Sequence, residues 1–183
     1  KASKVRSAGN GEIQKVEAIR SAAKEQAKRG MKVQPSQWYS LLDQNYESSV
    51  WKSQSEKCLA CGTCTMVCPT CYCYDIVDDV DLKDQGKRIR TWDGCLLRQF
   101  TEVAGGEVFR EDIKDRYRHR FFRKGKYLPD RLGFVACVGC GRCCLQCVPD
   151  IADPVDVMNM VFDHSDSFVE DESRKPQTIS LDT

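Results

Sequence analysis

The stretch Cys58-Leu-Ala-Cys61-Gly-Thr-Cys64-Thr-Met-Val-Cys68-Pro69 decides how this chain is read. Its spacing is C-x2-C-x2-C-x3-C-P. Three cysteines at that interval wrap a short loop around one four-iron cubane, and the fourth, past a turn, reaches a second cubane. Such a run calls for a partner. Cys137-Val-Gly-Cys140-Gly-Arg-Cys143-Cys144-Leu-Gln-Cys147 repeats the spacing downstream. One run is a good signal; two in one chain are a strong one.

Crossed ligation assigns the cysteines. Cluster one takes Cys58, Cys61, Cys64 and Cys147; cluster two takes Cys137, Cys140, Cys143 and Cys68. The plainer alternative closes each run on its own cluster. Gly62, Gly139 and Gly141 stand where backbone N–H groups can turn in toward cluster sulfurs. Pro69 ends the first loop by fixing φ. In the second run the proline comes one residue late, as Cys147-Val148-Pro149, and Cys144 competes with Cys143 as a ligand; the spacing favours Cys143. Cys71, Cys73, Cys95 and Cys144 are left over. They read as buried free thiols, as a third metal site, or as redox-sensing thiols. C-x-C is a poor spacing for a cubane.

The totals bound the rest. The chain has 183 residues, enough for one domain with a modest core. Its net charge of +1 gives no bulk case for nucleic acid or membrane surfaces. There is no apolar run long enough to span a bilayer and no secretory pattern at the start. The first residue is Lys1 rather than Met, which suits a trimmed chain or a fragment. Twelve cysteines also raise a secreted disulfide scaffold and zinc sites. Disulfide scaffolds are usually shorter and lack repeated triads, and zinc wants separated pairs. Thiolate-bound clusters imply a reducing compartment, so a cytoplasmic protein is expected.

Residues 1–11 read as a loose lead-in. Glu12 to Gly30 is helical by pattern, with Ile13, Val16, Ile19, Ala23 and Ala27 as a weak stripe and Gly30 as the stop. Pro35-Ser36 opens a second helix to about Val50, burying Trp38, Leu41, Leu42 and Tyr46. A β-hairpin is expected at 72–80 and 87–92, then a short helix from Asp93 or Gly94 to Val103, ended by Gly105-Gly106. A helix from Arg110 to Lys124 carries Ile113, Tyr117 and Phe121 on one face, and Gly125 is its stop. Its many cations read as a solvated face or as a docking surface for an acidic partner. Asp153-Pro154 starts a helix to about Phe162. Residues 165–183 read as a polar tail, disordered or draped over a partner.

Several stretches together resemble a known family: 58–75, Trp92-Asp-Gly-Cys95, Val103-Ala-Gly-Gly106, Arg116–Phe121 and Ala136-Cys-Val-Gly-Cys-Gly-Arg-Cys143. Over roughly 55–165 the chain resembles the iron–sulfur electron-transfer subunits of anaerobic sulfite reductase and of cytoplasmic sulfhydrogenase (beta type). The resemblance implies one-electron transfer between a flavin- and NAD(P)-binding subunit and a catalytic subunit of hydrogenase or reductase type. It also implies further chain upstream.

The expected fold is α+β: a ferredoxin-like core with two [4Fe–4S] clusters, a long β-hairpin/helical insertion and an N-terminal helical extension. Its divisions are 1–54, a helical extension; 55–164, the dicluster domain with insertion 72–134; and 165–183, the tail. No catalytic residue is assigned. Competing readings are a catalytic reductase using Cys71, Cys73 and Cys95, and a structural zinc-binding adaptor.

Overall fold

The computed structural model describes residues 5–27, 29–83, 85–166 and 168–169. The chain forms two compact units, Lys1–Gly30 and Met31–Thr183. The first contains helix α1, Asn10–Gln26. The Glu12 carboxylate accepts from the Gly9 N–H at 2.8 Å and pairs with Arg6, which closes the first turn. No described residue of α1 is buried, and the helix stops at Gln26, before the expected Gly30.

In the second unit, one 3-10 turn at Pro35–Gln37 leads into α2, Trp38–Gln44. A separate helix α3 follows at Ser49–Ser55. The single helix expected to Val50 is therefore broken, and Asn45 is the reason. Its side-chain amide donates to Leu41 O at 2.9 Å, and its own carbonyl accepts from Trp51 Nε1 at 2.8 Å. The turn this makes lets Trp51 become fully buried. Tyr46, expected in the core, is exposed instead. Its ring lies 3.7 Å beneath the Arg118 guanidinium and edge-on to Phe122.

The core is built by α2, α3, α5 (Ile113–Phe122) and α8 (Pro154–Asp163). Leu41, Leu42, Val50 and Trp51 meet Tyr117, Phe121 and Phe122, and Val157, Met158 and Val161 close the far side. The expected division at residue 54 thus runs through one core. Asp153 caps α8 as its sequence indicates, accepting from the Val155 N–H at 2.9 Å.

Strands β1, Tyr74–Val80, and β2, Gly86–Trp92, pair antiparallel with Tyr74 opposite Trp92 and Val80 opposite Gly86. Both faces of this ribbon are exposed. Asp81 shapes its turn by accepting from the Lys83 and Gln85 N–H groups. Together with the helices it makes an α+β chain. The helix expected over 93–103 is only a 3-10 turn at Arg98–Thr101. Gly94 lies hard against Thr65, and Cys95 and Leu96 are buried, so packing draws this stretch out of helical geometry.

Two expectations about α5 fail. Its cations do not form a solvated face: Arg116, Arg118, Arg120 and Lys124 are buried. Nor does Gly125 stop it. The helix runs on into a π turn, Arg123–Tyr127, where the Leu128 N–H bonds to Arg123 O at 3.0 Å. Gly125 is needed because Leu42 is so close: a Cβ there would lie 2.5 Å from Leu42 Cδ1. Leu42 is fully buried and has little room to retreat. Gly125→Ala should therefore lower unfolding free energy by about 1–3 kcal/mol through overpacking. A denaturant midpoint indistinguishable from the parent would show that this contact relaxes freely.

After the π turn come α6, Pro129–Leu132, and the second cysteine run. At the C-terminal end Phe168 packs on Phe162, and Gln44 donates to Val169 O at 2.7 Å. Most of the tail expected at 165–183, including 170–183, lies outside the described residues.

Candidate metal centre

The two cysteine runs fold alike, landmark for landmark. In the first, Ala60 and Gly62 take positive φ of 49° and 73°; in the second, Gly139 and Gly141 take 64° and 73°. Each pair opens one short helix, α4 (Thr63–Met66) or α7 (Arg142–Leu145). Each run ends in the same turn: Cys71 N–H bonds to Cys68 O, and Asp150 N–H to Cys147 O. Left-handed φ turns successive N–H groups inward, which makes a concave nest for sulfur. The Ala60 N–H already points at Cys58 Sγ, at 3.4 Å, and the Gly139 N–H lies against Cys137 in the same way.

Helices α4 and α7 pack on one another, so the runs lie side by side. Cys58, Cys61, Cys64 and Cys147 line one pocket, with Tyr117 and Pro149 in its wall. Cys58 has Cys147 and Cys61 as its thiol neighbours. Cys137 has Cys143 and Cys68. Cys140 and Cys61 are exposed, at the outer edge of their loops.

The remaining cysteines separate. Cys71, Cys73 and Cys95 line a second pocket. Cys144 does not join them; its thiol donates to Gly141 O at 2.9 Å, and Asp153 and Cys143 are its neighbours.

Electrostatics at this centre come from two cations that helical pattern alone assigns to the surface. Arg120 is 2% exposed, and its Nη2 donates to Ala152 O at 3.0 Å. Its Nε and Nη1 have no partner among the described residues. Burial opposes its charge, yet the surrounding Cys64, Cys143, Tyr117 and Cys95 hold its pKa above the ordinary value. Lys124 Nζ donates to Thr70 Oγ1 at 2.7 Å and reaches Cys68 and Cys71. Thr70 in turn donates to Ala136 O at 2.9 Å. Lys124 and Thr70 thereby tie the residue after the first run to the residue before the second. The signal for these cations was available: Arg116, Arg120 and Lys124 recur every four residues beside the Tyr117–Phe121 stripe.

The thiols divide by environment. Burial pushes Cys64 and Cys95 up to about 11. Cys68 is drawn down to about 4, first by the hydrogen bond from Cys71, then by Thr70 and Lys124, and Cys71 as the donor is raised. Thiols become thiolates when iron binds, so a site that holds several must supply positive charge and N–H donors. The buried, unpaired N–H groups of Arg120 and the two nests do so.

Zinc holds its sulfurs about 2.3 Å from one point. A cubane carries each sulfur on a different iron and needs a wider quartet. Among the described residues no three His, Cys, Asp or Glu side chains converge on a point fit for a single ion. All-thiol donors, inward N–H groups and a buried cation together fit cubanes.

Fold and site thus define an iron–sulfur protein of the two-cluster class. The chain belongs to the 4Fe-4S dicluster domain family, which it matches over residues 57–151. It holds two [4Fe–4S] clusters. Over 103 residues it is 47% identical to sulfhydrogenase 2 subunit beta of Pyrococcus furiosus, an alignment covering 56% of this chain and 30% of that protein. The chain therefore spans less than a third of that relative's length. No solved structure matches it. Among the described residues no helix is long and apolar enough to cross a membrane.

Proposed function

We propose that the chain is an electron-transfer subunit of a hydrogenase-type complex. It relays single electrons between a flavin- and NAD(P)-binding subunit and a catalytic subunit of hydrogenase or reductase type. The observation that carries this reading is the packing of α4 on α7, which sets two thiol-lined loops side by side. Kinship with a sulfhydrogenase beta subunit supports it. When bound, the clusters accept and release one electron at a time.

The ligand sets follow the crossed pattern: Cys58, Cys61, Cys64 and Cys147 for one cluster, Cys137, Cys140, Cys143 and Cys68 for the other. The shared pocket of the first four supports that assignment. The rest of the chain orients and tunes. The nests aim N–H groups at sulfur, Lys124 and Thr70 hold the runs together, and Arg120 supplies charge between them. Thiolate-held clusters call for a reducing compartment, which supports a cytoplasmic setting.

The test is chemical. Anaerobically reconstituted protein should carry iron and acid-labile sulfide in equal amounts, at least about eight of each per chain. It should bleach with dithionite and recover its colour with a one-electron dye. A colourless, zinc-loaded protein without sulfide would end this reading.

A further inference from the structure

We propose that Cys71, Cys73 and Cys95 hold a third iron–sulfur cluster, in a pocket separate from the two sites above. This goes beyond the dicluster reading and rests on it for the neighbouring clusters. Three thiols from distant parts of the chain converge there: two from the C-x-C after the first run, one from the turn after β2. Cys95 is buried and has Cys73 and Cys64 as thiol neighbours. Spare thiols that merely filled core would have no reason to gather around a pocket. These do, and the same pocket is walled by Arg120, Lys124 and Asp93.

The charge pattern supplies an independent reason. Arg120 is fully enclosed, and two of its donor nitrogens bond to nothing among the described residues. A buried guanidinium left so is strongly disfavoured unless an anionic group meets it. Cys64, Cys143 and Cys95 surround it, one from each of the three thiol groupings, so it stands at their junction. Lys124 is placed in the same way between Cys68 and Cys71. Two cations are more than uncharged thiols require. They suit anionic inorganic clusters on both sides.

The lining suits an anionic cluster better than a lone ion, because three thiols share the pocket with two cations, Arg120 and Lys124. Among the described residues no three donors here meet at a point, and the same holds for the two quartets already given to cubanes. Three cysteines account for three irons of a cubane. Asp93, whose carboxylate is nearly buried in the same wall and accepts from the Gly94 N–H, would be the donor left for the fourth iron. Each thiol gives up its proton to solvent as it binds iron. Cys144 lies outside this pocket and takes no part.

The experiment is metal counting on the full chain after anaerobic reconstitution with ferrous iron and sulfide. The parent should carry about twelve irons and twelve sulfides, and Cys73→Ser/Cys95→Ser about eight of each. Cys144→Ser should stay near the parent value. Mild oxidation of the parent should also give the EPR signal of a three-iron cluster, since the fourth iron lacks a cysteine, and the double variant should lack it. A fully reconstituted parent with about eight irons overturns the third site and leaves the dicluster reading intact. Fewer than about eight, or zinc in place of iron, brings down the dicluster reading itself. Because the parent's count decides alone, a variant that fails to fold does not rescue the proposal.

Discussion

Arg120→Met should lower the midpoint potentials of the clusters around it while leaving their number unchanged. Reduction adds negative charge to a cluster, so a nearby fixed cation favours the reduced form and removing it drives the potential down. At an effective dielectric near 20, a unit charge roughly 8–16 Å away contributes about 1–2 kcal/mol, equivalent to about 40–90 mV for one electron. Arg120 is suited to the upper part of that range because it is enclosed, with little water or salt to screen it. Its effect on the metal-free chain should run the other way. There the guanidinium is buried with Nε and Nη1 unpaired, and only the bond to Ala152 O and its stacking on Phe121 offset the cost. Methionine fills similar space without that cost, so the apoprotein should unfold at an equal or higher denaturant concentration. Arg120→Lys, which keeps the charge, should recover much of the potential. An EPR-monitored redox titration and an apoprotein unfolding curve read both signs. Unchanged potentials with a weakened apoprotein would make Arg120 a packing residue and no more.

That the sequence revealed the cysteines and hid the arginine has a physical cause. Ligand spacing within one loop is local, since three thiolates three residues apart must curl around whatever they bind. The α8 start was equally plain, because Asp153 and Pro154 cap a helix with no help from elsewhere. Arg120 carries no local mark. Helical period shows that it shares a face with Arg116 and Lys124, but whether that face meets water or thiols depends on where α5 lands. The reading of Gly125 fails for the same reason. Read locally it is a stop, and its role comes from Leu42, far away in the chain. The break at Asn45 depends on the burial of Trp51, which no window of a few residues can contain. Ring-by-ring packing of Trp51 with Phe121 and Phe122 decided it.

The crossed ligand pattern makes the sharpest claim on mutants, because it pairs residues that sequence order would keep apart. Cys147→Ala should cost the chain about four irons, and so should Cys58→Ala. If both serve one cluster, the double variant should lose no more than either single one, since a site already emptied cannot be emptied again. If each run closed on its own cluster, Cys58→Ala/Cys147→Ala would empty two sites and remove about eight. Cys137→Ala/Cys147→Ala reverses the outcomes: about eight lost under crossing, about four under sequential closure. Reconstituted iron per chain for these four variants decides the matter without assigning any spectrum to a particular cluster. The geometry favours crossing for a reason the late proline first obscured. Pro149 lies in the wall of the pocket that holds Cys58, Cys61 and Cys64, and Asp150 next to it takes a left-handed φ of 50°. The chain after Cys147 thereby lies against the first loop. The late proline leaves Cys147 followed by the same turn as Cys68, with Cys147 beside the thiols of the other run.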